Sequence, residues 1–267
     1  MKQTLNRFAL LAIDVAGRLS VDLSEASERN HPPVGGTVLR PLRLAIGAFV
    51  VALTLAFTAG TANAAVWSST DRWGTWTSGS YTLYNNVWGS GYGPQTIWAN
   101  STSNWGVWAN HPNTGGIKSY PNATRYIGRS VGSIGTLTSS FNVTVPTSGV
   151  AFTTAYDIWS SDNAHEIMLW MNYYGAVGPL GTLQTTATVG GHTWKIYRGS
   201  NGSNNVYSFV RTSNTSSGTV NVAAIAQWIR SAGWFGNVTI GNVQFGYEIT
   251  SSAGGKDFVT NSFSVSG

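Results

Sequence analysis

Beyond residue 64 the chain holds two glutamates, Glu166 in "HEIMLWMN" (165–172) and Glu248 in "VQFGYEIT" (243–250). Met168 and Trp170 stand beside the first, Gln244 and Gly246 beside the second. Two carboxyls set on a surface of flat apolar rings are the minimum equipment for glycoside hydrolysis. One serves as nucleophile or base and the other as acid, and their separation decides whether the anomeric configuration is retained or inverted. Trp and Met next to an acid lower the local polarity and help keep one carboxyl protonated. A single strand glutamate is usually just a solvated outward position. Here the pair are the only glutamates of the region, and each has aromatic or amide neighbours. A third acid, Asp157 in "AYDIW" (155–159), fits the same pattern.

Competing chemistries are short of parts. The chain has no cysteine, which removes thiol nucleophiles, thiolate metal sites and disulfides. His31, His111, His165 and His192 are isolated from one another, and none pairs at metal-ligand spacing. With no EF-hand-like loop either, neither a metal nor an organic cofactor is expected. The formal charge of +5 owes much to Lys2, Arg7, Arg18, Arg29, Arg40 and Arg43. From Ala65 onward nine Lys/Arg face six Asp/Glu, a net +3, with no basic run to track a phosphate backbone. Nucleic acid is not an expected partner.

The acids need a scaffold to position them. Charged residues make up 9% of the chain and aromatics 12%, with 32 Gly and 12 Trp, the balance of an all-β exported domain rather than a helical cytosolic one. Short alternating segments separated by Gly, Ser and Asn turns predict strands over Ser80–Trp88, Gly106–Ala109, Ser139–Val145, Val150–Trp159, Glu166–Tyr173, His192–Tyr197, Val206–Arg211 and Val238–Thr250, with a last one in "KDFVTNSFSVSG". "NVAAIAQWIRSAG" (221–233) instead spaces Val222, Ile225, Ala226 and Ile229 as one helical face, with Asn221 as cap and Gly233 as stop. Alternation assigns the faces. Ile167, Leu169 and Met171 point to a core, as do Val243, Phe245, Tyr247 and Ile249, and Phe152, Tyr156 and Ile158. Glu166, Met168, Trp170 and Asn172 share the opposite face, with Gln244, Gly246 and Glu248, and with Thr153, Asp157 and Trp159. The expected fold is an all-β jelly-roll sandwich of two packed antiparallel sheets with one α-helix.

Residues 40–64, "RPLRLAIGAFVVALTLAFTAGTANA", have the parts of a secretory signal. Arg40 and Arg43 form the positive end, an apolar stretch runs from Leu44 to about Phe57, and Ala62-Asn63-Ala64 gives a small-x-small cleavage pattern. The apolar run is short for a bilayer span. The expected organisation is an unassigned extension (1–39), a signal peptide (40–64) and a catalytic domain (65–267), secreted, free of the membrane once the signal is removed, and monomeric. The polar stretch before the signal is unusual, and a true translation start near Val34 or Val38 would account for it.

In combination, these segments resemble glycoside hydrolase family 12, the small jelly-roll endo-β-1,4-glucanases and xyloglucanases, across essentially the whole chain from Ala65. "YTLYNNVWG" (81–89) is similar to the family's early cleft strand, which implies that Asn86 and Trp88 line a glucan-binding cleft. "KSYPN" (118–122) matches the next landmark and brings in Tyr120. "AYDIW" resembles the strand whose aspartate, here Asp157, contacts the nucleophile. "HEIMLWMN" and "QFGYEIT" match the nucleophile and acid/base strands. The resemblance therefore implies Glu166 as nucleophile, Glu248 as acid/base, Met168 and Trp170 as cleft neighbours, and retention of configuration. It also implies a β-glucan polysaccharide as substrate. Many members carry an N-terminal disulfide; Thr70 and the neighbourhood of Pro94 stand at those places here, so the stability of that region needs another source.

Two rivals remain at this level. A non-catalytic carbohydrate-binding jelly roll would keep the tryptophans without needing both glutamates. An expansin-like wall protein would rely on a different barrel and an added binding module. Trp105, Trp108, Trp159 and Trp170 are further cleft candidates, and the loops Trp98–Ser103 and Gly175–Gly181 are expected to set the choice among cellulose, mixed-linkage glucan and xyloglucan.

Overall fold

The computed structural model describes residues 65–267. The expected extension (1–39) and export segment (40–64) lie outside the described residues. In chain order the strands are β1 (Trp67–Ser69), β2 (Thr75–Ser78), β3 (Tyr81–Tyr84), β4 (Gln95–Ala99), β5 (Trp105–Ala109), β6 (Asn122–Ser130), β7 (Thr138–Thr144) and β8 (Ala151–Ser160). They continue with β9 (His165–Tyr174), β10 (Thr182–Val189), β11 (His192–Ser200), β12 (Asn205–Arg211), β13 (Ser217–Asn221), β14 (Thr239–Ser251) and β15 (Lys256–Ser266), with the helix α1 (Val222–Ser231) between β13 and β14.

The strands form two sheets, one of six in the order β1-β4-β5-β15-β7-β13 and one of nine in the order β10-β11-β12-β9-β8-β14-β6-β3-β2. This is the jelly-roll sandwich expected from the pattern. The inward faces meet in an aromatic layer that bridges the sheets: Phe152 packs on Phe258 at 4.8 Å and Phe245 on Phe263 at 5.1 Å between ring centroids. Phe152, Tyr156, Ile158, Ile167, Leu169, Phe245 and Tyr247 are all buried there, as alternation requires. Each such side chain contributes roughly 1.5–3 kcal/mol by leaving water. The inner layer fixes the register, and the register fixes which residues face out.

Neighbouring strands are antiparallel with one exception, since β12 runs parallel to β9. The other differences from the expected elements have physical causes. The segment expected as Ser80–Trp88 is a strand only to Tyr84. Asn86 then takes a left-handed backbone (φ 44°), which turns the chain away from the sheet. β6 mixes Arg125 and Arg129 with Tyr126 and Ile127, β10 and β13 are polar strands that carry little alternation, and β10 is an almost wholly exposed edge. Asn172 does not share the face of Glu166. A bulge sets Thr154 opposite Asn172 and Ala155 opposite Trp170, and the extra residue turns Asn172 inward, where its Oδ1 accepts from Thr154 Oγ1 at 2.8 Å. The helix is capped as expected, Asn221 Oδ1 accepting from the Ala224 N–H at 2.9 Å, and it buries Val222, Ile225, Ala226 and Ile229. Gly233 ends it with φ 70°.

Candidate active site

The outer face of the nine-stranded sheet carries the acids in rows set by strand register. One row runs Glu166, Trp159, Asn242 and Tyr126 across β9, β8, β14 and β6. The next holds Ser208, Met168, Asp157, Gln244 and Thr124, and a third Val210, Trp170, Ala155, Gly246 and Asn122. Glu248 follows on β14, opposite Thr153. The two glutamates thus stand on either side of β8, with Asp157 on β8 between them. Met168, Trp170, Ala155, Val206 and Val210 pack into an apolar floor separate from the main core. Gly246 keeps that floor level, because a Cβ there would meet the Pro121 carbonyl oxygen at 2.0 Å.

Such a floor changes what the carboxyls do. Burial raises Glu166 from 4.5 to about 7, partly offset by a hydrogen bond from Asn204 Nδ2 to its Oε2 at 3.0 Å. Burial, and then the charge of Glu166, raises Glu248 to about 8. Asp157, 6% exposed, is pushed well above the usual carboxylate range by burial and by the charges of Glu166 and Glu248. Its Oδ1 is buried without a protein partner, as is the Nε1 of Trp170. Because charge interactions fade with distance, this mutual influence means the side chains converge over one stretch of floor. Of the two glutamates Glu166 is the more readily ionised and Glu248 keeps its proton to higher pH, while burial holds Asp157 toward its neutral form, which is the division of labour a nucleophile–acid pair needs.

The remaining expected residues are placed as follows. Tyr120 is buried near the acids, 4% exposed, and its hydroxyl donates to the Ala155 carbonyl at 3.2 Å. Burial and the charges of Asp157, Glu248 and Glu166 all raise its pKa, so it senses all three acids. Asn86 Nδ2 donates to the Tyr120 carbonyl at 3.1 Å, which ties the turn after β3 to the floor. Trp88 is half-buried on that segment, between Val87, whose N–H donates to the Arg72 carbonyl, and Gly89, whose N–H donates to the Lys118 carbonyl. Trp159 and Trp170 face the cleft side. Trp105 and Trp108 do not: Trp105 is buried in the inter-sheet core against Tyr247, and Trp108 lies on the six-stranded sheet opposite Asp257. The turn within 98–103 belongs to the same six-stranded sheet and is tied to β15 through Asn104.

Sequence reasoning missed two groups. Asn204 lies far from Glu166 in the chain and carries no motif of its own. An exposed cluster, with the Arg72 guanidinium over the rings of Tyr92 (4.4 Å) and Trp73 (5.2 Å), flanks the Trp88 segment through a hydrogen bond from Arg72 Nε to the Val87 carbonyl. Both depend on contacts that local patterning does not carry.

A jelly roll with paired, unequally titrating glutamates on an apolar, Trp-bearing outer face is the architecture of a glycosidase. Residues 79–266 match the model of glycosyl hydrolase family 12, and the chain belongs to that family. Among relatives, the xyloglucan-specific endo-β-1,4-glucanase A of Emericella nidulans is 32% identical over 169 residues, 55% of this chain and 68% of the relative. Among solved structures, the xyloglucanase domain of NopAA, a type three effector from Sinorhizobium fredii in complex with cellobiose, is 45% identical. It superposes with a TM-score of 0.73 over 76% of this chain and 99% of that one. The family 12 xyloglucanase from Bacillus licheniformis is 28% identical with a TM-score of 0.68, over 75% of this chain and 99% of that one.

Proposed function

We propose that the protein is an exported endo-β-1,4-glucanase that hydrolyses glucan chains with retention of configuration, xyloglucan being its foremost substrate. The observation that carries this reading is the placement of Glu166 and Glu248 across β8, each raised by burial and the second by the charge of the first. The Emericella, Sinorhizobium and Bacillus relatives, each named for action on xyloglucan, support the substrate.

In the first step Glu166 attacks the anomeric carbon while Glu248 gives its proton to the departing glycosidic oxygen. The C–O bond to the leaving chain breaks as the C–O bond to Glu166 forms. Glu248, now ionised, takes a proton from water; the hydroxide attacks the same carbon and Glu166 leaves. Asp157 beside Glu166, pushed toward its neutral form by burial and by the two glutamates, limits the negative charge gathered at the site. Met168 and Trp170 exclude water from the floor, and Asn86 and Trp88 hold the glucan on one side of the cleavage point.

Proton NMR of the first product tests the stereochemistry. A β-anomer appearing before mutarotation supports two displacements; an α-anomer appearing first contradicts them. N-terminal sequencing of the exported protein tests the leader, with Ala65 as the expected first residue and Met1 as the contrary result. Size-exclusion chromatography tests the monomer, for which a single species near the mass of the 65–267 segment is expected.

A further inference from the structure

We propose that Asn204 is a positioning residue that breaks the symmetry of the carboxylate pair, its amide holding Glu166 as the ionised partner and leaving the proton to Glu248. The inference rests on the assignment of Glu166 as nucleophile given above.

The geometry begins with the parallel pairing of β12 and β9. It puts Asn205, the first residue of β12, opposite His165, so the turn that precedes β12 arrives next to Glu166. An antiparallel β12 would carry that turn to the far end of the sheet. Within the turn, Asn201 Oδ1 accepts from the backbone N–H of Ser203 at 2.9 Å and of Asn204 at 3.0 Å. Asn201 Nδ2 then donates to Asn204 Oδ1 at 2.8 Å. The Asn204 carbonyl accepts in turn from Ser200 Oγ at 3.0 Å and from the Asn201 N–H at 3.3 Å.

These bonds leave the Asn204 side chain one orientation. Its oxygen is engaged by Asn201, so its NH2 group points at Glu166, and an NH2 group donates only. A donated hydrogen bond is stronger to a carboxylate than to a carboxylic acid, and it therefore favours ionised Glu166. Asn204 is 4% exposed, so water does not compete for the bond. Glu248 has no matching donor among the described residues, and only burial and the charge of Glu166 act on it. Two otherwise similar acids are thus made unequal by one amide.

The test is the pH dependence of kcat/KM for the full chain and for Asn204→Leu, combined with trapping by a 2-deoxy-2-fluoro glycoside and mass mapping of the label. In Asn204→Leu the acidic limb is expected to move to higher pH, with about a tenfold loss below the wild-type acidic limb that shrinks through the optimum and vanishes on the alkaline limb. Asn201→Ala, which frees the amide to rotate, is expected to move the limb the same way by less, and it serves if Asn204→Leu does not fold. A uniform loss at all pH values, or an unmoved limb with the label on Glu166, overturns the role of Asn204 while leaving the nucleophile assignment intact. A label on another residue overturns the assignment and the inference with it.

Discussion

Glu166 and Glu248 meet opposite demands from one environment. Burial raises both, so neither is an ordinary carboxylate, and the difference between them comes from their contacts. In the proposed mechanism the productive form has Glu166 ionised and Glu248 protonated. Activity therefore rises as Glu166 loses its proton, near 7, and falls as Glu248 loses its own, near 8. A kcat/KM profile on xyloglucan is expected to be a narrow bell between limbs near those values. Glu248→Gln, assayed with an aryl cellobioside whose leaving group needs no proton, is expected to lose the alkaline limb. An acidic limb at the ordinary 4.5 would show that the floor does not desolvate Glu166. At this scale the sequence was informative, because alternation alone put Glu166, Glu248 and Asp157 on one face. Asn204 was not legible, since its role depends on a parallel strand pair and a turn some forty residues along.

At the scale of elements, the region around Asp71, Asn85 and Gln95, in a chain without cysteine, is held by a buried polar network. Asn85 Nδ2 donates to the Asp71 carbonyl, Gln95 Nε2 donates to both the carbonyl and Oδ1 of Asn85, and His111 Nε2 faces Gln95 Oε1 at 2.9 Å. The Gly93 N–H donates to His111 Nδ1, which makes the ring neutral with its proton on Nε2. Burial, and then the charge of Lys118, lowers His111 to about 4. The folded state thus binds fewer protons than the unfolded one. The stabilisation is full above about 6.5 and is lost as pH falls through about 4, a difference of about 3 kcal/mol. Urea unfolding of the wild type and His111→Gln between pH 7 and 4 checks this. The variant is expected to be less stable at pH 7 but to fall less steeply with acid, and parallel curves would contradict the role of His111. The strands that alternate cleanly, β8, β9 and β14, were legible because one face is fixed by the inter-sheet core. β10 and β13 were not, because Thr and Ser suit either face, nor was β6, whose two arginines interrupt any alternation, and the bulge that turns Asn172 inward leaves no mark in the residue pattern.

At the scale of the molecule, the nine-stranded sheet brings together segments more than eighty residues apart, and its outer face carries Glu166, Asp157 and Glu248, the proposed working surface. Exposed rings continue that surface past the acids. Tyr126, 69% exposed in the row of Glu166, lies three strands and so about 14 Å from it, and the Trp73–Arg72–Tyr92 cluster flanks the Trp88 segment. A single chain threaded over such a surface must first be free of its neighbours. Hydrolysis of xyloglucan and soluble glucans is therefore expected to exceed that of crystalline cellulose at equal mass, and equal initial rates would contradict this. The proposed role of Glu166 as the group that performs the chemistry on a glucan is tested most directly by reducing-sugar release from xyloglucan, barley β-glucan and carboxymethylcellulose by the wild type beside Glu166→Gln. Release by the wild type, reduced by more than about a thousandfold in a folded Glu166→Gln, is the expected result. Undiminished release by the folded variant, or binding without release by the wild type on all three polymers, would contradict it.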